Sequence, residues 1–472
     1  MRQEERMTPE EIEEIAARVL SLVPAGGQAE VDVSHESEAL TRFANSYIHQ
    51  NMALDEATTV SLRLHRDGRT AAGASNLTTA SALADLVQRV VEAVRLAPAD
   101  PGWPGPTPPA PRYAAGGFDE ATAMAAPADR ADRVRDFVAA AGGTSAAGYC
   151  RTSSWTGAFA NSAGQSVTGH TTEATLYGTT LLTGGVEGAA RQTSVRVSDL
   201  DAPALGARAA AKARAGVDPV QLPPGRYEVV LEPPAVADLL LHLAMSGFNG
   251  KAHAERRSFV VLGEAQLDAS VTLVDDPFAD GSPGFAYDHE GTPKRPLVLV
   301  DGGVSTAVAH DRRSAAQAGE GAASTGHAIA GGAAFGPVPL NLGLLPGPGM
   351  PGTTGTTGTG AAFVDPAAAP LVAGVDRGLL ITDLHYTRVL DPRTLVVTGL
   401  TRYGVWLIEN GEVTSPVANL RHTQSYPDAL GPGAVADIGP AAPILPNTWG
   451  TSWWRAPALR LTSWNITGNA SG

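Results

Sequence analysis

Apolar residues recur at helical spacing in "TPEEIEEIAARVLSL", where Ile12, Ile15, Ala16 and Val19 mark one face. Thr8 is placed to cap this helix, with Pro9 at its first position and acidic residues in its first turn. After "PAGG" the period changes to two. Val60, Leu62 and Leu64 share one strand face, and "RDGR" is a turn to a second strand. "TASALADLVQRVVEAVRLA" returns to helix with a stripe of Leu83, Leu86, Val87, Val90 and Val94.

Seven prolines between Pro98 and Pro111 exclude both a helix and a central strand there, so "PADPGWPGPTPPAP" is expected to be a linker or an extended surface arm. A short helix is expected around Asp129 to Ala141. Antiparallel strands follow through "YCRTSSWTGAFANSAGQSVTGHTTEATLYGTTLLTGG", then a helix over "DAPALGARAAAKARAG". From "GRYEVVLEPP" onward the chain is β-rich, with strand-like runs "PLVLVDGGVSTAV", "RGLLITDLHYTRV", "RTLVVTGLTRYGVWLIENGEV" and "RLTSWNITG". "ENGE" signals a type I′ hairpin, whereas "LLPGPGMPGTTGTTGTGAAF" is too rich in glycine for a core. The expected class is α+β, divided as a helix–sheet–helix domain over 1–97, the arm over 98–125, a middle domain over 126–222 and a β-rich domain over 223–472.

Composition narrows the function. A net charge of −14 opposes nucleic-acid binding, because neutralising phosphates needs a basic face. No apolar run approaches the length of a membrane span, and "MRQEERMTPEEIEEIAARVL" has no signal-like apolar stretch. The single cysteine, Cys150, excludes an internal disulfide framework. A cytoplasmic protein is the expectation.

The most suggestive chemistry lies in "LLLHLAMSGFNGKAHAE", where an apolar helix carries His242. A hydrolytic zinc helix needs two histidines on one face and a glutamate to activate water. In the His-Glu-x-x-His spacing the partners of His242 would be Leu243 and Ser246. In the His-Glu-x-x-x-His spacing they would be Leu243 and Gly247. Neither set can ligate or act as a base, and His253 lies beyond an expected break at "GFNG". The alternative for His242 is a buried, hydrogen-bonded core histidine. His35-Glu36 and His289-Glu290 lack a second histidine in register, and Pro293 forbids a helix after the latter. Cys150 falls in a strand, where a lone cysteine is usually a small buried hydrophobe.

Several stretches together resemble the TldD/PmbA family of metallopeptidases along nearly the whole chain. These are "RFANSYIHQN", "FANSAG", "LLLHLAMSGFNGKAHAERRSF", "VTLVDDPFADGSPGFAYDHEGTPKRPLVLVDGGV", "STGHA", "PVPLNL", "GVWLIENGEVTSPVANLR" and "RAPALRLTSWNITG". The resemblance implies two kinds of chain. The TldD-like kind holds zinc with His-Glu-x-x-x-His and a cysteine near the C-terminus. The PmbA-like kind, also called TldE, lacks these ligands and pairs with the first around a chamber where short or unfolded peptides are cut. Leu243, Gly247 and the absence of cysteine after Cys150 place this sequence with the second kind. The implied function is a non-catalytic subunit with no cofactor of its own, a TldD-like partner carrying zinc, and a peptide substrate.

Other residues invite chemistry on their own. Asp275, Asp276, Asp288 and Glu290 could be paired acid/base carboxylates, although Asp-Asp-Pro and Asp-His-Glu-Gly are also turn formers. Arg256, Arg257, Ser258, Tyr287, Asp288, His289, Glu290 and His327 are candidate peptide or partner contacts. Trp453, Trp454 and Trp464 are expected in the core or a dimer interface. Two further readings stay open: a homodimeric peptide-binding protein without catalysis, and a metal-independent hydrolase using the four carboxylates.

Overall fold

The computed structural model describes residues 7–53, 57–347, 362–446 and 451–470. The glycine-rich loop expected from Leu344 to Phe363 lies, over 348–361, outside the described residues. The architecture is α+β, and its first helix runs Pro9–Leu22. Thr8 Oγ1 accepts from Glu11 N at 3.2 Å, while Glu11 Oε2 accepts from Thr8 N at 2.8 Å, closing a capping box. Its apolar face packs with that of the helix Ala80–Leu96 onto Val31, Val33, Val60, Leu62 and Leu64 of a sheet.

That sheet has seven strands, in the order Arg69–Ser75, Ala57–Arg66, Gln28–Ala44, Ser145–Asn161, Ser166–Leu181 and Glu187–Ser194, with Tyr47–Ala53 paired beside Gln28–Ala44. Asp67 and Gly68 have φ of 50° and 73°, the two positive values a type I′ turn needs, where "RDGR" called for a turn. Gln28–Ala44 runs antiparallel to Ser145–Asn161 from Glu30 opposite Asn161 to Phe43 opposite Gly148. Strands from the stretch 1–97 and from 126–222 therefore lie in one sheet.

The proline-rich arm has neither helix nor ladder over most of its length, yet it is pinned rather than free. Asn161 Nδ2 donates to Thr107 O at 2.8 Å, and Thr107 Oγ1 donates to Glu290 O at 2.5 Å. Buried Gln165 bonds both backbone groups of Ala110. Polar side chains of the sheet thus replace the donors and acceptors that a proline run cannot pair within itself.

The C-terminal part is built on a ring of strands. Arg377–Asp391 pairs in parallel with Gly225–Leu231, which pairs with Leu459–Asn469, then Leu420–Ser425, then Val396–Glu409, and the last closes back on Arg377–Asp391. Asn410 and Gly411 take φ of 52° and 79° at the "ENGE" hairpin. Val229, Leu231, Leu379, Ile381, Val397, Val405, Leu459 and Leu461 share one buried cluster with Val236, Leu239 and Leu240 of the helix Pro233–His242. Trp454 and Trp464 belong to that cluster, and Trp453 is also buried. A second sheet places Leu273–Asp275 between Leu297–Asp301 and Leu342–Leu344. Among the described residues no helix is long and apolar enough to cross a membrane.

One buried ion pair ties the middle of the chain to this ring. Lys212, on the helix Ala202–Ala215, donates to Glu232 and, at 2.9 Å, to Thr382 Oγ1. Glu232 stands at the start of the helix Pro233–His242, and its other oxygen accepts from Asp365 N at 2.7 Å. Lys212→Ala would leave that carboxylate buried without its cation. The expected loss is about 3–5 kcal/mol of unfolding free energy, read from a chemical denaturation curve.

Candidate functional site

The helix Pro233–His242 does not simply continue. Residues Leu243–Gly247 form a π turn, in which Phe248 N donates to Leu243 O at 2.8 Å. Hydrogen bonding from i to i+5 stacks residues five apart, so the first and last positions of a His-Glu-x-x-x-His spacing share a face here as they would not in an α-helix. The backbone would bring side chains at 242 and 247 toward one face. They are not a pair of ligands. Leu243 is fully buried in the core, and a Cβ built on Gly247 would stand 2.8 Å from Phe259 Cε1. Phe259 in turn packs edge-on against Phe248 at 5.8 Å. The place of the second imidazole is filled by a phenyl ring.

Ser258 Oγ donates to Gly247 O at 2.5 Å and accepts from Val260 N at 3.0 Å, tying off the last carbonyl of the π turn. The break expected at "GFNG" is present: Asn249 Oδ1 accepts from Ala252 N at 3.0 Å and starts a separate short helix, Gly250–Ala254, that carries His253. Arg256 and Arg257 beyond it are exposed, and Arg257 pairs with neighbouring Glu255 at 2.5 Å.

His242 itself is mostly buried, its ring edge-on to Tyr426 at 5.7 Å. Burial pushes its pKa down, against the attraction of Asp238, whose Oδ2 is 3.8 Å from His242 Nε2. The hydrogen bond expected of a core histidine is missing at Nε2. Asp238 is taken instead by Tyr426 Oη at 2.8 Å and Thr387 Oγ1 at 2.6 Å. Beside Tyr426 stands Trp464, and beside Trp464 stands His422, which is pushed down to about 3 by burial, with His242 and Arg421 adding to the shift. Sequence reasoning singled out His242 but neither Asp238 nor His422. The i,i+4 spacing of Asp238 and His242 was readable, whereas His422 comes from a strand far along the chain. Among the described residues no three His, Cys, Asp or Glu side chains come together to hold a metal ion. Zinc does not fit this helix.

The other acidic candidates are consumed by structure. Asp275 is fully buried; desolvation would raise its pKa, but His327 at 3.0 Å, Lys294 and Asn341 N at 2.7 Å bring it below the ordinary value. His327 is closed in by Thr325 at 2.9 Å. Asp276 Oδ1 accepts from Phe278 N at 3.0 Å, a turn contact. Asp288 accepts from Glu290 N, Thr292 N and Ala328 N, each at 2.9 Å, yet burial and Glu290 hold it up at about 7. Glu290 accepts from Arg312 N at 2.9 Å and lies 3.6 Å from Arg63, which also pairs with Glu30 at 3.2 Å. Burial raises both Glu290 and Glu30, the latter to about 7.

Tyr287, Asp288, Glu290 and His327 are thus largely buried in this conformation. Of the candidate contacts, Arg256, Arg257 and His289 are exposed and Ser258 is half-buried. Cys150 is buried, and its thiol is pushed up to about 12 by desolvation, which excludes a thiolate nucleophile.

The C-terminal half is thus a closed ring of strands with an apolar helix packed against it that ends in a π turn. The family model described as PmbA/TldA metallopeptidase C-terminal domain matches residues 224–468, and the chain belongs to the TldD/PmbA family. A Methanothermobacter thermautotrophicus protein described as a metalloprotease is 29% identical over 106 residues, a match spanning 21% of this chain and only 22% of that relative's length. Among solved structures, TldE from Thermococcus kodakarensis superposes with a TM-score of 0.82 at 17% identity, covering 97% of this chain and 99% of that one. A Thermotoga maritima protein described as a candidate modulator of a DNA gyrase reaches 0.79 at 16% identity, covering 96% of this chain and 100% of that one. At such identities these structures share the fold.

Proposed function

We propose that this chain is a PmbA/TldE-like, non-catalytic subunit of a heteromeric zinc metallopeptidase that cleaves short or unfolded peptides in the cytoplasm, with zinc held by a TldD-like partner. The observation that carries the reading is the Phe259 ring standing where a second imidazole would need to be, beside a buried leucine in place of the glutamate. Membership in the family supports the metallopeptidase context, and the likeness in fold to TldE supports the kind of chain. The burial and backbone bonding of Asp275, Asp288 and Glu290 count against the metal-independent hydrolase.

The purified chain alone is expected to carry no stoichiometric zinc by elemental analysis and to leave unfolded peptides uncut. Mixed with a TldD-like chain from the same genome, it should co-elute with it in size-exclusion chromatography. One tightly bound zinc per isolated chain, with peptide cleavage lost on chelation, would defeat the proposal.

A further inference from the structure

One guanidinium nitrogen stands between two buried carboxylates where the first sheet meets the "YDHEGTP" turn. Arg63 Nη1 lies 3.2 Å from Glu30 Oε2 and 3.6 Å from Glu290 Oε1. Glu30 is directly opposite Arg63 in the register of Gln28–Ala44 with Ala57–Arg66. Glu290 comes from the turn 287–293, which a bridge between Tyr287 and Pro293 closes. Both glutamates are buried. Two carboxylates on one cation leave a negative charge unbalanced, and a buried charge without a partner is costly enough that the group takes up a proton instead.

Among the described residues no other cation pairs with these two glutamates. Arg312, at the start of the helix Arg312–Ala318, turns its guanidinium to Gly105 O at 3.2 Å and Pro104 O at 3.3 Å. It gives Glu290 Oε2 only its backbone N–H and otherwise acts on the pair through space. Arg313 is held by both oxygens of Asp100, each at 2.9 Å. His289 faces Asp32 at 3.9 Å, and Tyr287 faces Asp32 as well. The remaining charges are acidic: Asp288 in the turn and Asp311 at the helix cap. The pair also stands at a junction. Thr107 Oγ1 of the arm donates to Glu290 O, and Gln165 Nε2 of the sheet donates to Gly291 O at 2.7 Å.

We infer that Glu30 and Glu290 share one proton across this seam, with Arg63 as their common cation, and that the proton latches the turn 287–293 onto the first sheet. An ordinary glutamate loses its proton near 4.5, whereas burial holds Glu30 up to about 7 in the docked seam in spite of Arg63. The latch is therefore tight below pH 4.5 and is lost as pH rises through 7. Opening exposes Asp288, His289 and Glu290 to solvent together. The device is independent of any catalytic partner.

Hydrogen exchange of the full chain, read by mass spectrometry between about pH 4.5 and 8.5 and corrected for intrinsic rates, tests it. Protection of 287–293, relative to the strand Ser145–Asn161, should fall by up to about tenfold per pH unit between 4.5 and 7 and level off above. Glu30→Gln and Glu290→Gln should each flatten this profile, because one carboxylate then matches one guanidinium. Glu38→Gln, on the same strand as Glu30 but paired with Arg151, should leave the slope in place. A slope that survives Glu290→Gln would give the proton to Glu30 alone and overturn the sharing, and a flat profile in the parent would overturn the latch. Carbon-13 NMR of the glutamate carboxyls in the parent decides the matter without any variant. Two resonances moving together well above the usual glutamate range are expected, and separate titrations near 4.5 would defeat the inference.

Discussion

Writing the His-Glu-x-x-x-His spelling back into the helix, as Leu243→Glu with Gly247→His, is expected to give a badly destabilised chain that still binds no zinc. Leu243 is fully buried among apolar neighbours, so a glutamate loses that packing and must be protonated or unpaired there. Removing a buried leucine side chain costs roughly 2–5 kcal/mol before the carboxyl is counted. A histidine at 247 starts from a Cβ already 2.8 Å from Phe259, and overpacking of this kind costs about 1–3 kcal/mol. The two changes together consume much of the roughly 5–15 kcal/mol that stabilises an ordinary domain. Urea midpoints for each single and the double variant measure the effect, and elemental analysis measures the metal. Gly247→Ala alone separates the phenylalanine contact from the rest, since it adds only the offending Cβ. A double variant that melts like the parent and takes up one zinc would show that the helix had merely lost its ligands. The expectation is that the surroundings have closed over the site as well.

That closure was only half legible in the sequence. Leu243 and Gly247 could be read as missing ligands from spacing alone, and the break after them from Gly247, Asn249 and Gly250. The π turn could not be read, because it depends on Ser258 returning to cap Gly247 O and on Phe259 filling the space beside it. Local periodicity carried the first helix, the "RDGR" and "ENGE" turns and the long strands, since capping and turn chemistry act within a few residues. The closed ring could not be seen, because its pairing of Gly225–Leu231 with both Arg377–Asp391 and Leu459–Asn469 joins distant segments. The carboxylates show the same limit. Asp275 and Asp288 have the residue type of acid/base catalysts, but their partners His327 and Ala328 lie far along the chain and spend them on structure. Arg63, Glu30 and Glu290 meet across the seam between the first sheet and the "YDHEGTP" turn, a contact no local pattern announces.

The same two buried regions should pull stability in opposite directions with pH. His422 is pushed down to about 3 in the folded chain, against about 6.5 when unfolded. Its contribution is complete above pH 6.5 and is lost as pH falls toward 3, because only the unfolded chain takes up that proton. A shift of this size corresponds to about 5 kcal/mol. Glu30 is raised to about 7 from 4.5, mainly by burial and in spite of Arg63. Its folded form binds a proton that the unfolded form releases, so the relative stability it supplies is complete below 4.5 and lost as pH rises through 7, about 3 kcal/mol in all. Between pH 4.5 and 6.5 the two slopes oppose each other. Glu30→Gln removes one of them, and its stability relative to the parent should rise by about 3 kcal/mol from pH 4.5 to 7.5. His422→Phe removes the other, and its relative stability should rise as pH falls below 6.5. Denaturation curves of the three proteins at four pH values measure both trends. Parallel pH profiles for parent and variants would mean that neither group titrates differently on folding, and that the ring interior and the seam are wetter than their burial implies.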